Sequence, residues 1–172
     1  MIAEKIVVSD TNIFLDLFSV DLLASFFELP CEIHTSDFVL GEILQAEQQK
    51  AVKAFAMNKK LCIETFDFTE LSQISDLQHN SGTNTSFTDC SVWYYAKKTN
   101  ARLLTGDNKF RKVAEKDHVL VSGILYIFDN LVEYGILDKS IASEKLSDLI
   151  RINPRLPHSE CQKRIAEWNY NP

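Results

Sequence analysis

Short apolar runs of extended character alternate along this chain with longer stretches of helical period, and that alternation limits the fold more than any other feature. Ile6-Val7-Val8, Cys31 to Thr35, Leu61-Cys62-Ile63, Arg102 to Thr105 and Val119-Leu120-Val121 read as strands. Such short β-branched and leucine-rich runs suit strands buried on both faces. Helical stretches lie between them. One follows Asp10-Thr11-Asn12. The next is capped by Ser36-Asp37 and carries Val39, Leu40, Ile43 and Leu44 inward, and another carries Leu71, Ile74 and Leu77. Phe87 to Lys98 and Asn108 to Lys116 read as two more helices, and the polar stretch from His79 to Thr85, with Gly82, as an exposed loop. Strands separated by helices are joined by crossovers, which implies an α/β fold with a parallel sheet covered on both faces.

The alternation stops near Gly135, so the expected organisation is a core unit over residues 1–135 and a helical extension over 136–172. In the extension, Ile136, Leu137, Ile141, Leu146, Leu149 and Ile150 follow helical spacing and should pack on the same domain, with helices over Ile141 to Arg151 and Ser159 to Trp168. A lid, a dimer contact or a seat for a partner all fit this segment. At 172 residues the chain is the size of one compact domain.

Composition removes several functional classes. No apolar run is long enough to span a membrane, and the N-terminus shows no basic segment followed by an apolar one, so an intracellular, cytoplasmic protein is expected. Cys31, Cys62, Cys90 and Cys161 are widely spaced and mostly set in apolar runs, which suits buried free thiols. His34, His79, His118 and His158 are equally scattered, so no zinc pattern forms. Neither a dinucleotide-binding nor a P-loop glycine motif is present.

The carboxylates carry the functional signal. In open α/β sheets, sites form beyond the carboxyl ends of the strands. Asp10 follows the first strand, and Asp107 closes Leu103-Leu104-Thr105-Gly106 after the fourth. Glu42 lies on the short helix after the second strand, between apolar neighbours, and Asp89 stands near the start of the helix leading to the fourth. Capping explains two of them: Asp107 can cap the helix from Asn108, and Asp89 can close a capping box with Ser86. Asp10 resists that account, because Asp10-Thr11-Asn12 brings three polar side chains to a core edge at once. If the strands are placed correctly, all four carboxylates share one edge of the sheet.

Val7-Val8-Ser9-Asp10-Thr11-Asn12-Ile13-Phe14, the element from Val39 to Glu42, Ser86-Phe87-Thr88-Asp89-Cys90 and Leu103-Leu104-Thr105-Gly106-Asp107 together resemble the successive motifs of the PIN-domain family, over about residues 5 to 122. That family includes the toxin halves of VapBC toxin–antitoxin pairs. The resemblance implies a doubly wound three-layer α/β/α sandwich and a metal-dependent ribonuclease, with RNA as substrate and an antitoxin or a homodimer as partners. The pattern departs at Lys109, where many relatives carry a further acidic residue, so one-metal and two-metal chemistry both stay open.

The residue types suit that chemistry. Phosphodiester hydrolysis needs a hydroxide nucleophile and a counter-charge for the oxygens that gain charge, and a divalent ion supplies both. Mg²⁺, or Mn²⁺ in its place, takes carboxylate oxygens and waters. Without it, four clustered carboxylates repel, and at least one pKa rises. Asp10 and Asp89 are the expected direct ligands, with Asp107 a further or water-mediated one and Glu42 a supporting ligand or the group that orients the attacking water. Thr11, Asn12 and Thr105 would hold these groups by hydrogen bonds. Two other readings remain: a catalytically silent binding module, which should lack one of the four carboxylates, and a phosphatase-like hydrolase, which would want an acid where Asn12 stands.

Substrate binding needs positive charge inside a chain of net charge −6. Between Lys97 and Lys116, seven basic residues face two acidic ones, a local +5 that brackets Asp107. Lys109, Arg111 and Lys112 are the candidate phosphate contacts, against the alternative of a solvated helix face. A second basic set, Arg151, Arg155, His158, Lys163 and Arg164, lies near Trp168 and Tyr170, where base stacking competes with core packing of the aromatics.

Overall fold

A computed structural model describes residues 5–82 and 84–170. Five strands form one sheet: β1 (Ile6–Ser9), β2 (Glu32–Ser36), β3 (Leu61–Glu64), β4 (Arg102–Leu104) and β5 (Val121–Ser122). All pairings are parallel and the strand order is β3-β2-β1-β4-β5. The chain therefore winds outward from β1 in one direction, returns, and winds outward in the other. The switch falls between β1 and β4, where neighbouring strand ends diverge into helices on opposite faces and open a crevice.

Ten helices complete the described chain: α1 (Thr11–Ser19), α2 (Leu23–Phe26), α3 (Asp37–Glu42), α4 (Ala46–Met57), α5 (Phe68–Asn80), α6 (Phe87–Thr99), α7 (Asn108–Lys116), α8 (Ile124–Glu133), α9 (Lys139–Ile152) and α10 (His158–Asn169). Right-handed crossovers put α1 to α4 on one face and α5 to α7 on the other. Phe14, Phe27 and Phe55 stack through the first layer, at 6.4 Å and 4.0 Å between successive rings. Trp93 of α6 meets Phe110 of α7 at 6.3 Å in the second. Val7, Val8, Ile33, Leu61, Leu103 and Leu104 fill the sheet between them, all buried. This is the three-layer α/β/α sandwich expected from the alternation. No helix among the described residues is long and apolar enough to cross a membrane.

Four local expectations change. Leu44 does not face inward: α3 ends at Glu42 and Leu44 is 91% exposed. Gly41 weakens the helix interior, and Gln49 of α4 donates from Nε2 to the carbonyls of Leu40 (2.9 Å) and Ile43 (3.2 Å), replacing the partners that a longer helix would supply. The fifth strand begins later than expected, at Val121, because His118 takes a left-handed turn (φ 63°) and pairing to β4 starts from the Leu120 carbonyl. The third is the stretch from His79 to Thr85, whose first two residues belong to α5; Thr83 lies outside the described residues. The cysteines are all free, but only Cys90 and Cys161 are buried. Cys31 is half-buried, and Cys62 is exposed on the edge strand β3.

The C-terminal segment packs as an amphipathic pair. Ala142, Ser143, Leu146 and Leu149 of α9 are buried, and α9 contacts α10, α8 and α1. Ile141, by contrast, is 42% exposed. Trp168 stacks on Phe128 at 6.3 Å, so core packing claims that aromatic side chain.

Candidate active site

The carboxyl end of β1 delivers Asp10 to the switch point. Its side chain is 2% exposed and caps α1, accepting from Thr11 N–H at 2.6 Å through Oδ1. Oδ2 accepts from Asn12 Nδ2 at 2.7 Å and from Thr105 Oγ1 at 2.8 Å. Thr105 stands just past the end of β4, so Asp10 is tied across the crevice to the strand on the other side of the switch. The Asp107 N–H donates to the same Thr105 oxygen at 3.1 Å. Asn12 closes the cross-link from its other end, its Oδ1 accepting from Gly106 N–H at 2.7 Å. A Cβ on Gly106 would stand 3.1 Å from that oxygen, so glycine is what lets the β4 turn approach α1 so closely.

Glu42 reaches the same edge from the end of α3. Thr11 Oγ1 donates to its Oε2 at 2.8 Å, so the two threonines and the asparagine together link three of the four carboxylate-bearing segments. The residue itself is exposed. Asp89 enters from α6, half-buried, in the capping box expected from sequence. Ser86 N–H donates to its Oδ2 and its own N–H donates to Ser86 Oγ, both at 3.0 Å. Asp107 caps α7, with Oδ1 accepting from Lys109 N–H at 2.7 Å and from Phe110 N–H at 3.0 Å. The structural account of Asp89 and Asp107 is thus correct, and each cap engages a single carboxylate oxygen.

Electrostatics show that the four groups sense one another. Burial raises the Asp10 carboxyl to about 7, and the Asp89 charge adds to the rise. Hydrogen bonds from Thr105 and Thr11 oppose it, and Glu42 pushes it further up. Asp89 is also raised, chiefly by burial, against the Ser86 hydrogen bonds, with Glu42 and Asp107 contributing repulsion.

The basic candidates separate. Lys109 is exposed at the start of α7 and lines a cavity that opens beside Asp107. Arg111 is turned to the backbone, donating to the carbonyls of Thr105 and Val121, each at 3.4 Å. Its guanidinium fills the space beside Gly123, where a Cβ would stand 2.8 Å from Nη2. Lys112 is exposed and does not line the cavity. In the second basic set, Arg164 forms a two-pronged pair with Asp129 (2.7 and 2.8 Å), while Arg155 lines the same cavity as Lys109. Sequence reasoning passed over Asp16. Burial raises its carboxyl, and Asn153 Nδ2 donates to both its oxygens at 3.0 and 3.1 Å. The available signal was a lone acid inside the apolar run Ile13 to Phe18.

A family model for a PIN domain, DUF3368, matches residues 6–170. The chain belongs to the PIN-domain family. Among solved structures, VapBC2 from Rickettsia felis, bound to a DNA fragment from its promoter, aligns with this PIN domain at TM-score 0.47 and 18% identity, over 69% of this chain and 98% of that one. FitAcB from Neisseria gonorrhoeae aligns at TM-score 0.42 and 14% identity, over 67% and 95%. FitAB bound to an IR36 DNA fragment aligns at 0.44 and 15%, over 69% and 94%. The curated proteins give no match.

The donor set can be tested against a divalent cation. Among the described residues, no group of three or more His, Cys, Asp or Glu side chains is arranged to hold an ion. Mg²⁺ does not require one: it typically takes one or two carboxylates and keeps its waters, leaving positions for substrate phosphate. Asp10 and Asp89 fit that requirement, being all-oxygen donors whose mutual repulsion is already visible in the raised Asp10 carboxyl.

Proposed function

We propose that this PIN domain is a Mg²⁺- or Mn²⁺-dependent endoribonuclease acting in the cytoplasm, with Asp10, Glu42, Asp89 and Asp107 as its working carboxylates. The observation that carries the reading is the buried Asp10 carboxyl, raised to about 7 by burial and by Asp89 at the switch point of the sheet. A fold with no use for this arrangement gains nothing by burying a charge beside another of the same sign.

When bound, the cation supplies a lowered pKa for an attacking water and a counter-charge for the scissile phosphate. The rest falls to the chain. Asp10 is held by Thr11, Asn12 and Thr105 so that its carboxylate cannot rotate away from the crevice. Asp89 is fixed in the same way by the α6 capping box, with one oxygen left over. Glu42, exposed and steadied through Oε2 by Thr11, offers Oε1 to accept the proton of the attacking water. Asp107 contributes its second oxygen from across the switch. Family membership further suggests a toxin role, and with it an antitoxin partner.

Incubation of the protein with end-labelled RNA and Mg²⁺ or Mn²⁺, then with EDTA, and in parallel with the Asp10→Asn protein, tests the reading. Cleavage is expected only for the wild type with cation. Cleavage that ignores chelation, or a folded Asp10→Asn protein that cuts as well as the wild type, refutes it.

A further inference from the structure

A cavity of about 1000 Å³ opens from the carboxylate edge toward the C-terminal segment. Asn12, Gly106 and Asp107 form the end that it shares with the candidate active site. Beyond them it runs between Lys109 at the start of α7, Tyr126 in the first turn of α8, and Arg155 in the turn from α9 to α10. The far wall is anchored to the catalytic side of the molecule: Asn153, the C-cap of α9, holds Asp16 of α1, the helix that Asp10 starts.

The charges inside this cavity are unequally answered. Asp129 is paired with Arg164, Asp16 with the Asn153 amide, and the Arg111 guanidinium with two backbone carbonyls. Lys109 and Arg155 are exposed, and Arg155 acts on the Asp16 carboxyl through its charge, lowering it against the effect of burial. Two exposed cations therefore line a groove that leads away from a cluster of carboxylates. A small anion would need only one of them. A polyanion with repeated charges, continuous with a phosphodiester at the carboxylates, would use both.

Resting on the nuclease reading, we propose that this cavity is a subsite for the backbone of the strand flanking the scissile phosphodiester, with Arg155 and Lys109 as phosphate contacts. Arg155 presents a planar fork suited to two phosphate oxygens, and Lys109 a point charge closer to the reacting centre. The uncapped first turn of α8 adds backbone N–H groups to the same wall. The C-terminal helices thereby contribute to substrate affinity without touching the carboxylates.

Binding of a short fluorescein-labelled oligouridylate by the full chain, in EDTA and over a salt series, tests the subsite without cleavage. Arg155→Ala is expected to lower the slope of log K against log salt by about 0.7, and the double Arg155→Ala, Lys109→Ala variant by about 1.4. In cleavage assays Arg155→Ala should raise KM roughly tenfold and leave kcat within a factor of about two. Arg151→Ala, which removes an exposed arginine paired with Asp148 outside the cavity, is the control and should change neither. A wild-type slope and KM in Arg155→Ala, or an equal loss in Arg151→Ala, overturns the subsite. So does tighter binding of a polyglutamate peptide than of RNA, which would assign the cavity to an acidic peptide. Normal slope differences in a protein that cleaves with no divalent cation supplied would sink the metal-dependent reading and leave the subsite standing.

Discussion

Asp10→Asn should make the cation-free protein more stable at neutral pH while removing its function. Asp10 is held at about 7 in the folded chain, against an ordinary 3.8. Between those values the unfolded chain releases its proton while the folded chain retains it, so stability falls as pH rises. At 1.36 kcal/mol per pH unit, the loss amounts to about 4 kcal/mol by pH 7 to 8. The amide escapes that loss but cannot accept all three donors that Asp10 accepts, and one or two weakened hydrogen bonds cost about 1–3 kcal/mol. Below pH 4 the variant should therefore be the less stable protein. At pH 8 in EDTA it should be the more stable by about 1–3 kcal/mol, the difference having moved by about 4 kcal/mol between the two conditions. Urea denaturation of both proteins at several pH values measures this, because groups remote from the carboxylate cluster titrate alike in the two chains and drop out of the difference. Adding Mg²⁺ at about 100 times its Kd should stabilise only the wild type, by roughly 2.7 kcal/mol, and close the gap. A stability difference that is flat from pH 4 to pH 8 would refute the claim that Asp10 is buried among like charges.

Two further substitutions separate positioning from folding. Asp107→Asn keeps a side-chain oxygen to cap α7 but removes the charge, so denaturation should move by less than about 0.5 kcal/mol while cleavage falls by at least tenfold; Asp107→Ala should add the loss of a cap, about 1 kcal/mol, to the same activity loss. Gly106→Ala places a methyl 3.1 Å from Asn12 Oδ1 and displaces the side chain that holds Asp10 across the crevice, so kcat should drop with KM little changed, whereas Gly41→Ala, which meets nothing within 4 Å, should leave both as they are.

The parts of this molecule that were legible in the sequence depend on short range. A β-branched run declares a buried strand wherever it sits, and an acid just beyond such a run declares a position at the sheet edge. Capping is equally local, which is why Ser86 with Asp89 and Asp107 with Lys109 could be paired by spacing alone. The misread positions depend on partners remote in sequence. Leu44 fits a helical period, but α3 stops because the Gln49 amide satisfies the carbonyls it leaves open. Cys62 lies in an apolar triplet, yet it is exposed because β3 is the sheet edge, a consequence of strand order that no single segment encodes. Arg111 was indistinguishable from Lys109 and Lys112 as a basic residue on one helix. Only the meeting of β4, β5 and Gly123 shows that its guanidinium serves the backbone.

Capping and metal binding are usually treated as competing explanations for an acid at a helix start. Here they reinforce one another. A carboxylate has two oxygens, and Asp89 and Asp107 each commit one to the backbone N–H groups of a helix, which fixes the side chain without extra packing. The same helix N-terminus favours the charged form, offsetting part of the repulsion that comes with gathering acids at one edge. Asp10 also caps α1 and accepts three hydrogen bonds, but it is buried, and desolvation outweighs those bonds and lifts its carboxyl to about 7. The least relieved charge thus lies at the centre of the cluster, with the relieved ones around it. Under the proposed metal-dependent chemistry, a cation entering the crevice would gain most where burial leaves the most repulsion unanswered, beside Asp10 and its neighbour Asp89, the two proposed direct ligands.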